Sequence, residues 1–181
     1  MGSFYSKIWQ ILYSDKGRRI LILGLDASGR TTMLYKLKLV EVLSSIPTIG
    51  FSVEKDLNRK YNFQIWDIDG QLKLRDLWHS YYKDTEAVIF IVDSPDRERV
   101  EEATEVLHEM LENELIKGIP LLVFANKQDL PHAMTVLEIA NKLDLHSIRG
   151  RPLLIQAACA IAGEGIYEGL DWLRSILPIK Y

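Results

Sequence analysis

The sequence predicts an α/β domain built on a mostly parallel, six-stranded sheet with helices on both faces. Four runs are apolar throughout instead of alternating, which is typical of strands buried on both sides. Helical segments separate these runs, and strands that alternate with helices favour a parallel sheet with right-handed crossovers. The four apolar runs are residues 20–23, 87–92, 121–125 and 153–155.

Two further strands and five helices complete the predicted domain. Residues 61–66 alternate polar and apolar side chains, so we expect a strand with one solvated face, paired with residues 51–57. Two helices carry start signals, namely Ser94 before a proline, and Thr135 with Glu138 three positions later. The helices are predicted at residues 31–39, 72–82, 97–114, 135–143 and 166–177.

Composition narrows the class of protein. A chain of 181 residues fits one domain and can bury a core without disulfides. The net charge of −3 argues against a nucleic-acid binder that relies on bulk positive charge. The single cysteine, Cys159, cannot form an internal disulfide, and no apolar run reaches the roughly 18 residues of a membrane span. We therefore expect a cytosolic globular domain without a secretory signal, and we further expect a monomer.

A glycine-bearing loop follows the first buried strand and opens the first helix, which is the context that a phosphate-binding loop requires. Its glycines let the backbone wrap phosphate groups, whose charge is met by N–H groups and the helix N-terminus. The predicted nucleotide-binding residues here are Gly24, Leu25, Asp26, Ala27, Ser28, Gly29, Arg30, Thr31 and Thr32. Taken alone, the segment is also compatible with a plain strand-to-helix turn.

Arg30 occupies the position where a phosphate-binding loop usually has lysine. Arginine keeps the positive charge but presents a planar fork instead of a compact ammonium group, so the exchange is not conservative. We expect Arg30 to offset phosphate charge during catalysis.

Two later segments are predicted to sense a third phosphate. The Thr31 and Thr48 hydroxyls can ligate Mg²⁺, and Asp67 can hold the metal through water. The Gly70 N–H can reach the γ-phosphate, and Gln71 is placed to orient an attacking water as a catalytic residue. Loops that order around γ-phosphate and Mg²⁺ and relax on hydrolysis form a two-state switch.

The quartet Asn126-Lys127-Gln128-Asp129 follows a buried strand, at the edge where open α/β sheets bind ligands. The Asp129 carboxylate can accept from guanine N1–H and the N2 amino group, and Asn126 can serve the O6/N7 edge. Adenine lacks this donor pair, and such a site rejects the analogue by roughly 10⁴–10⁵. Although the quartet could be a polar turn, its order after the phosphate loop predicts guanine selection.

With these motifs in place, the chain resembles the Arf and Arf-like small GTPases over essentially all its residues. The resemblance implies a P-loop NTPase fold, with a GTPase domain over residues 18–181, and GTP or GDP bound with Mg²⁺. The runs that carry it are residues 34–37 (LYKL), 46–51 (IPTIGF), 66–67 (WD), 92–94 (VDS), 123–131 (VFANKQDLP) and 167–173 (YEGLDWL).

The resemblance also assigns roles that spacing alone does not give. It implies that Lys127 lies along the guanine plane, and that Cys159 and Ala160 bring the Ala160 N–H to the base oxygen. It further implies a surface that reads the switch state for effectors and exchange factors. The residues of this surface are Ile49, Phe51, Trp66 and Tyr81.

Residues 1–17 are predicted to form an amphipathic helix that binds a membrane. Gly2, with Ser6 at the supporting position, fits an N-myristoylation signal. One myristoyl chain gives only marginal membrane binding, K about 10⁴ M⁻¹, so a second apolar element is needed. The expected apolar stripe consists of Phe4, Tyr5, Ile8, Trp9 and Leu12. We expect this helix to dock on the body with GDP and to be released with GTP.

Two further departures from the family pattern are Asp69, where the family has glycine, and Ile161, where it has a small polar residue. A carboxylate about 6 Å from a γ-phosphate at an effective dielectric of ~20 costs on the order of 3 kcal/mol per unit charge before Mg²⁺ offsets it. Losing glycine also restricts the backbone. We therefore expect a bias toward GDP, or slow hydrolysis of GTP.

The remaining polar groups have simpler interpretations. The four histidines, His79, His108, His132 and His146, show no metal-ligand spacing. The glutamates between residues 101 and 114 are interpreted as the solvated face of a helix.

The leading interpretation is a GTP-binding molecular switch that recruits effectors to membranes, with weak intrinsic hydrolysis. The alternative is a pseudo-GTPase, or a GDP-biased interaction module at a membrane, favoured by Arg30 and Asp69. An ATP-dependent phosphotransferase is disfavoured by Asp129. The family implies an exchange factor, a GTPase-activating protein and coat or tether effectors as partners. It also implies vesicle traffic at the cytoplasmic face of a membrane such as the Golgi.

Overall fold

The computed structural model describes residues 17–38, 51–55, 63–68 and 70–177, and for residues 38, 51–55 and 72–74 it describes the backbone only. The predicted N-terminal helix with Gly2 lies outside the described residues, as do Thr48, Ile49 and Asp69. Within the described part of the chain, no helix is both long and apolar enough to cross a membrane.

The predicted six-stranded sheet is confirmed. Its order is β2-β3-β1-β4-β5-β6, and β2 pairs antiparallel with β3 while every other neighbouring pair is parallel. The buried strands read as continuous apolar runs because both of their faces are covered. The strands are β1 (Arg18–Gly24), β2 (Phe51–Lys55), β3 (Phe63–Ile68), β4 (Ala87–Asp93), β5 (Leu121–Asn126) and β6 (Leu153–Ala157).

Helices cover both faces of the sheet. Consecutive residues of β1 therefore pack into two different hydrophobic clusters. Leu21 and Leu23 belong to one hydrophobic cluster, whereas Ile20 and Ile22 belong to a second cluster on the opposite face. The helices are α1 (Arg30–Lys38), α2 (Val100–Leu111), α3 (Val136–Lys142) and α4 (Ile166–Ile176), with 3₁₀ segments at Leu72–Tyr81, Glu114–Ile116 and Leu145–Ser147. Residues of α2 and α3 pack in the first cluster, and residues of α1 and α4 pack in the second.

Helix boundaries confirm one start signal and correct another. The Thr135 Oγ1 accepts from the Glu138 N–H (3.2 Å), and the Glu138 carboxylate accepts from the Thr135 N–H (2.8 Å), so the predicted capping box is present. Ser94 does not begin a helix: α2 begins only at Val100, and the buried Ser94 Oγ accepts from the Gln128 Nε2 instead. The predicted helix over residues 72–82 is a 3₁₀ segment, a geometry more typical of short connectors.

Parallel pairing brings the sequence motifs to one edge of the sheet. Gly24 pairs with Ile91 near the ends of β1 and β4, and Asp93 pairs with Asn126 at the ends of β4 and β5. The phosphate loop and the guanine motif therefore meet, although about 100 residues separate them in sequence.

Candidate functional site

The phosphate loop presents free N–H groups around a concave turn. Ala27 and Gly29 have left-handed backbone angles (φ 61° and 95°), which turn successive N–H groups toward the same side. Within the described residues, the N–H groups of Gly29, Thr31 and Thr32 have no hydrogen-bond acceptor. These are the unpaired donors of a helix N-terminus, so the loop matches an anion such as a diphosphate.

Asn126 joins the phosphate loop to the base-binding loops. Its Nδ2 donates to the Ser28 carbonyl (2.9 Å), and its Oδ1 accepts from the Ala160 N–H (3.0 Å). The residue is 1% exposed. A side chain on Gly29 would collide with the Asn126 amide, so glycine is required there on steric as well as on conformational grounds. Asn126 is thus a positioning residue in this state, and its predicted contact with guanine would have to use its remaining hydrogen-bonding capacity.

Lys127 makes a second link between the same two loops. Its Nζ donates to the Ala27 carbonyl (2.8 Å) and pairs with the Asp93 carboxylate (2.6 Å). The aliphatic stem therefore runs from the guanine motif to the phosphate loop, consistent with its predicted place along a base. Asp93 was not among the predicted site residues, and its position at the end of β4 was the available signal.

The Gln128 side chain is hydrogen-bonded within the protein, whereas the Asp129 side chain is exposed. The Gln128 Nε2 donates to the Ser94 Oγ (2.8 Å) and to the Met134 carbonyl (2.9 Å), which anchors the loop. Asp129 is exposed, and its side chain has no hydrogen bond or ion pair within the described residues. Its carboxylate is therefore available to accept from a ligand, as the guanine hypothesis requires.

The Cys159-Ala160 segment lies beside Asn126 in a tight turn. The Cys159 N–H donates to the Glu164 carbonyl (3.0 Å), and the Cys159 side chain is buried. Because the Ala160 N–H already donates to Asn126, a bond from this group to a base oxygen would have to be shared or exchanged. Ile161 is 70% exposed and contributes an apolar side chain next to this turn.

Arg30 turns toward β3. Its guanidinium pairs with the Asp67 carboxylate (3.2 Å) and donates to the Ile68 carbonyl, and the residue is 8% exposed. A planar fork can satisfy two acceptors at once, which a lysine ammonium would do with less directional control. Arg30 is thus placed between the phosphate loop and the predicted γ-phosphate sensor.

Of the residues predicted to bind Mg²⁺, Thr31 is available as a ligand, whereas Asp67 is already paired. The Thr31 side chain is exposed at the first turn of α1 and makes no hydrogen bond within the described residues, so its hydroxyl can serve as a ligand. Asp67 fits less freely, because Arg30 and a metal ion would compete for its carboxylate. In the described part of the chain no three His, Cys, Asp or Glu side chains form a metal cluster. A metal here would therefore depend on hydroxyl and phosphate oxygens.

A charged network links the phosphate loop to the 3₁₀ segment and α2. Asp26 accepts from Arg99 (2.6 Å) and lies 3.8 Å from Arg75, and Glu102 pairs with both arginines (3.0 and 2.8 Å). The Arg75 Nε donates to the Gly70 carbonyl (3.0 Å). The Arg99 hydrogen bond holds the pKa of Asp26 below its usual value, so the carboxylate stays ionised near neutral pH.

This network corrects the interpretation of Glu102 as part of a solvated face. The Arg99 partner lies three residues away on the same helix face, whereas the contact with Arg75 comes from a separate segment and local spacing did not predict it. Gly70 itself packs so closely on the Gly24 carbonyl that it has no room for a side chain. Gln71 is exposed beside it, at the start of the 3₁₀ segment.

Two of the predicted effector-surface residues lie together. Trp66 and Tyr81 have ring centroids 6.5 Å apart, and the Arg19 guanidinium stacks over Trp66 at 3.9 Å. Arg19 also donates to the Tyr81 carbonyl (3.0 Å), so it fixes both aromatic residues. Phe51 has a described backbone only, paired with Ile68.

Comparison with known proteins agrees with this geometry. The family model described as "ADP-ribosylation factor family" matches residues 4–177. The chain is also similar to the solved structure of the Arl6 BBS3 small GTPase from Trypanosoma brucei with bound nucleotide analogue GppNp. That match has a TM-score of 0.80 and 33% sequence identity, and covers 88% of this chain and 96% of the other.

Proposed function

This chain belongs to the ADP-ribosylation factor family of small GTPases, a family of nucleotide-dependent switches, and we propose that it recruits effectors to a membrane in vesicle traffic. In the proposed cycle Asp129 selects guanine, the phosphate loop binds the diphosphate, and Gln71 orients the attacking water. Arg30 offsets charge on the phosphates, a role for which its guanidinium has to exchange the Asp67 carboxylate for phosphate oxygens. Mg²⁺, held by Thr31, Thr48 and water on Asp67, would supply further compensation of phosphate charge.

One observation supports this proposal most strongly. The Asn126 and Lys127 side chains bind the carbonyls of Ser28 and Ala27, so the guanine motif and the phosphate loop form one rigid unit. A turn with no ligand-binding role would not need these two contacts, and neighbouring Asp129 remains exposed. The arrangement matches a ligand that has a guanine base at one end and phosphates at the other.

The proposal is tested by releasing and identifying the nucleotide in purified full-length protein, followed by single-turnover hydrolysis of GTP. We expect bound guanine nucleotide and slow turnover, because the missing transition-state charge is worth about 10³–10⁵ in rate when an activating protein supplies it. A chain that carries no nucleotide and binds none would instead support the alternative, an interaction module without a switch.

Asp69 is proposed to bias the protein toward GDP. We expect Asp69→Gly to raise the GTP-to-GDP affinity ratio by about tenfold or more, since it removes a charge worth on the order of 3 kcal/mol before compensation by Mg²⁺. Asp69→Asn, which removes the charge but keeps a side chain, separates the electrostatic effect from the backbone effect. Equal ratios in the wild type and both variants, measured by equilibrium titration of both nucleotides, would exclude this bias.

Membrane attachment is proposed to require both Gly2 and GTP. We expect myristoylated wild-type protein loaded with a GTP analogue to co-sediment with liposomes several times more than the GDP form, since one acyl chain alone binds marginally. Gly2→Ala should abolish the difference. Co-sedimentation that depends neither on Gly2 nor on the nucleotide would contradict the proposal.

The expected partners are an exchange factor, a GTPase-activating protein and coat or tether effectors, acting on a monomer at a cytoplasmic membrane surface such as the Golgi. The Trp66–Tyr81 pair supports an effector surface here, because Arg19 contacts both residues and Trp66 directly precedes the predicted γ-phosphate sensor Asp67 in β3. No nucleic acid is proposed as a partner.

A further inference from the structure

A groove of about 400 Å³ separates the 3₁₀ segment Leu72–Tyr81 from helix α2. None of the residues that line this groove is assigned to binding of the nucleotide or the metal, or to the effector surface. Trp78 and Tyr82 line it with aromatic rings, although they are only 2% and 4% exposed. Asp76 from the 3₁₀ segment and Glu109 from α2 contribute carboxylates.

Two carboxylates of this groove form no ion pair within the described residues, and His79 also lines the groove. Asp76 and Glu109 are exposed, and neither side chain forms an ion pair or hydrogen bond within the described residues. Arg75 also lines the groove, but its charge is already met by Glu102 (2.8 Å) and by the Gly70 carbonyl (3.0 Å). Among the described residues that line it, the groove therefore has two unpaired carboxylates and no arginine without a partner.

The Tyr82 hydroxyl adds a third unused acceptor. Tyr82 is almost fully buried, yet its hydroxyl has no hydrogen-bond partner in the described part of the chain, and the residue faces the groove. The hydroxyl oxygen itself is not fully buried, so it can accept a hydrogen bond from a ligand atom in the groove. Burial, together with the negative charge of Glu109, raises the pKa of Tyr82 and keeps the hydroxyl neutral.

We propose that this groove binds an arginine side chain presented by a protein partner. A guanidinium carries five donors and no acceptor, which complements two carboxylates and a hydroxyl oxygen. Arginine is also the charged residue that protein interfaces favour, whereas an apolar side chain would leave both carboxylates unpaired.

The test uses full-length, ¹⁵N-labelled, GDP-loaded protein and small probes. Acetyl-arginine amide is titrated against acetyl-citrulline amide, which has nearly the same shape without the charge, and against acetyl-leucine amide. We expect saturable chemical-shift changes at Tyr82 and Asn113 with the arginine probe and none with the other two. Equal binding of the citrulline or leucine probe would overturn the proposal, because the groove would then select shape or apolar surface.

Three variants test whether the arginine probe binds in this groove. Glu109→Gln should weaken binding of the arginine probe about two- to fivefold, the range expected for one exposed charge pair. Glu105→Gln removes the same charge from an exposed position on α2 that does not line the groove, and should leave binding unchanged. Tyr82→Phe should weaken binding without changing the net charge. Equal losses in Glu105→Gln and Glu109→Gln would show only general attraction to an acidic helix and would contradict the assignment.

Discussion

Asp129→Asn is expected to weaken GDP binding by about 10²–10⁴-fold while leaving the thermal midpoint of the nucleotide-free protein within about 1 °C of the nucleotide-free wild type. Two charge-assisted hydrogen bonds to the guanine N1–H and N2 groups would be lost, each worth about 1.5–3 kcal/mol. The fold should not change, because Asp129 is exposed and its side chain has no partner within the described residues. Calorimetric titration of nucleotide-free protein measures the affinity.

The same variant should gain affinity for xanthosine diphosphate. Xanthine presents a carbonyl oxygen where guanine has its amino group, and an asparagine amide can donate to it. Glu168→Gln is the matched control, since it removes one charge from an exposed, unpaired position on α4. If Asp129→Asn bound GDP as tightly as this control did, Asp129 would not contact the base.

Asn126→Asp is expected to destabilise the protein by about 3 kcal/mol and to lower the thermal midpoint by about 6–12 °C. The carboxylate cannot donate to the Ser28 carbonyl, and it would place a charge where the wild-type residue is 1% exposed. Nucleotide affinity should fall together with stability, because the phosphate loop loses its link to β5. Thermal unfolding followed by circular dichroism measures the first effect.

A control separates the lost hydrogen bond from the added charge. Asn141→Asp introduces the same carboxylate at an exposed position of α3 and should shift the midpoint by no more than about 2 °C. Equal midpoints for Asn126→Asp and the wild type would show that the link between the two loops contributes little to stability.

Asn126 and Asp129 also show how far the sequence alone predicts the site. Their spacing after a buried strand predicted the correct edge of the sheet, because parallel strands end together and the buried runs were apolar throughout. The sequence did not predict that Asn126 would be engaged with Ser28 and Ala160, since those partners lie 98 and 34 residues away. Residue type indicates hydrogen-bonding capacity, whereas tertiary packing decides which partner uses it.

The same limit applies to the charged groups. Arg30 was recognised as a departure from the usual loop, but its pairing with Asp67 follows from the β1–β3 register and not from local spacing. Glu102 looked like one more solvated glutamate; its pairing with Arg99 is local, three residues apart, but only the fold brings it to Arg75. Helix starts were predictable where a local hydrogen bond defines them, as at Thr135, and unreliable at Ser94, where a tertiary contact uses the hydroxyl.

Selection of guanine by Asp129 is tested most directly by calorimetry on nucleotide-stripped, full-length protein with Mg²⁺. GDP is predicted to bind about 10⁴-fold or more tightly than ADP, since a bound adenine would cover the Asp129 carboxylate without offering the two donors of guanine. Equal affinity for ADP and GDP would show that the protein does not select guanine.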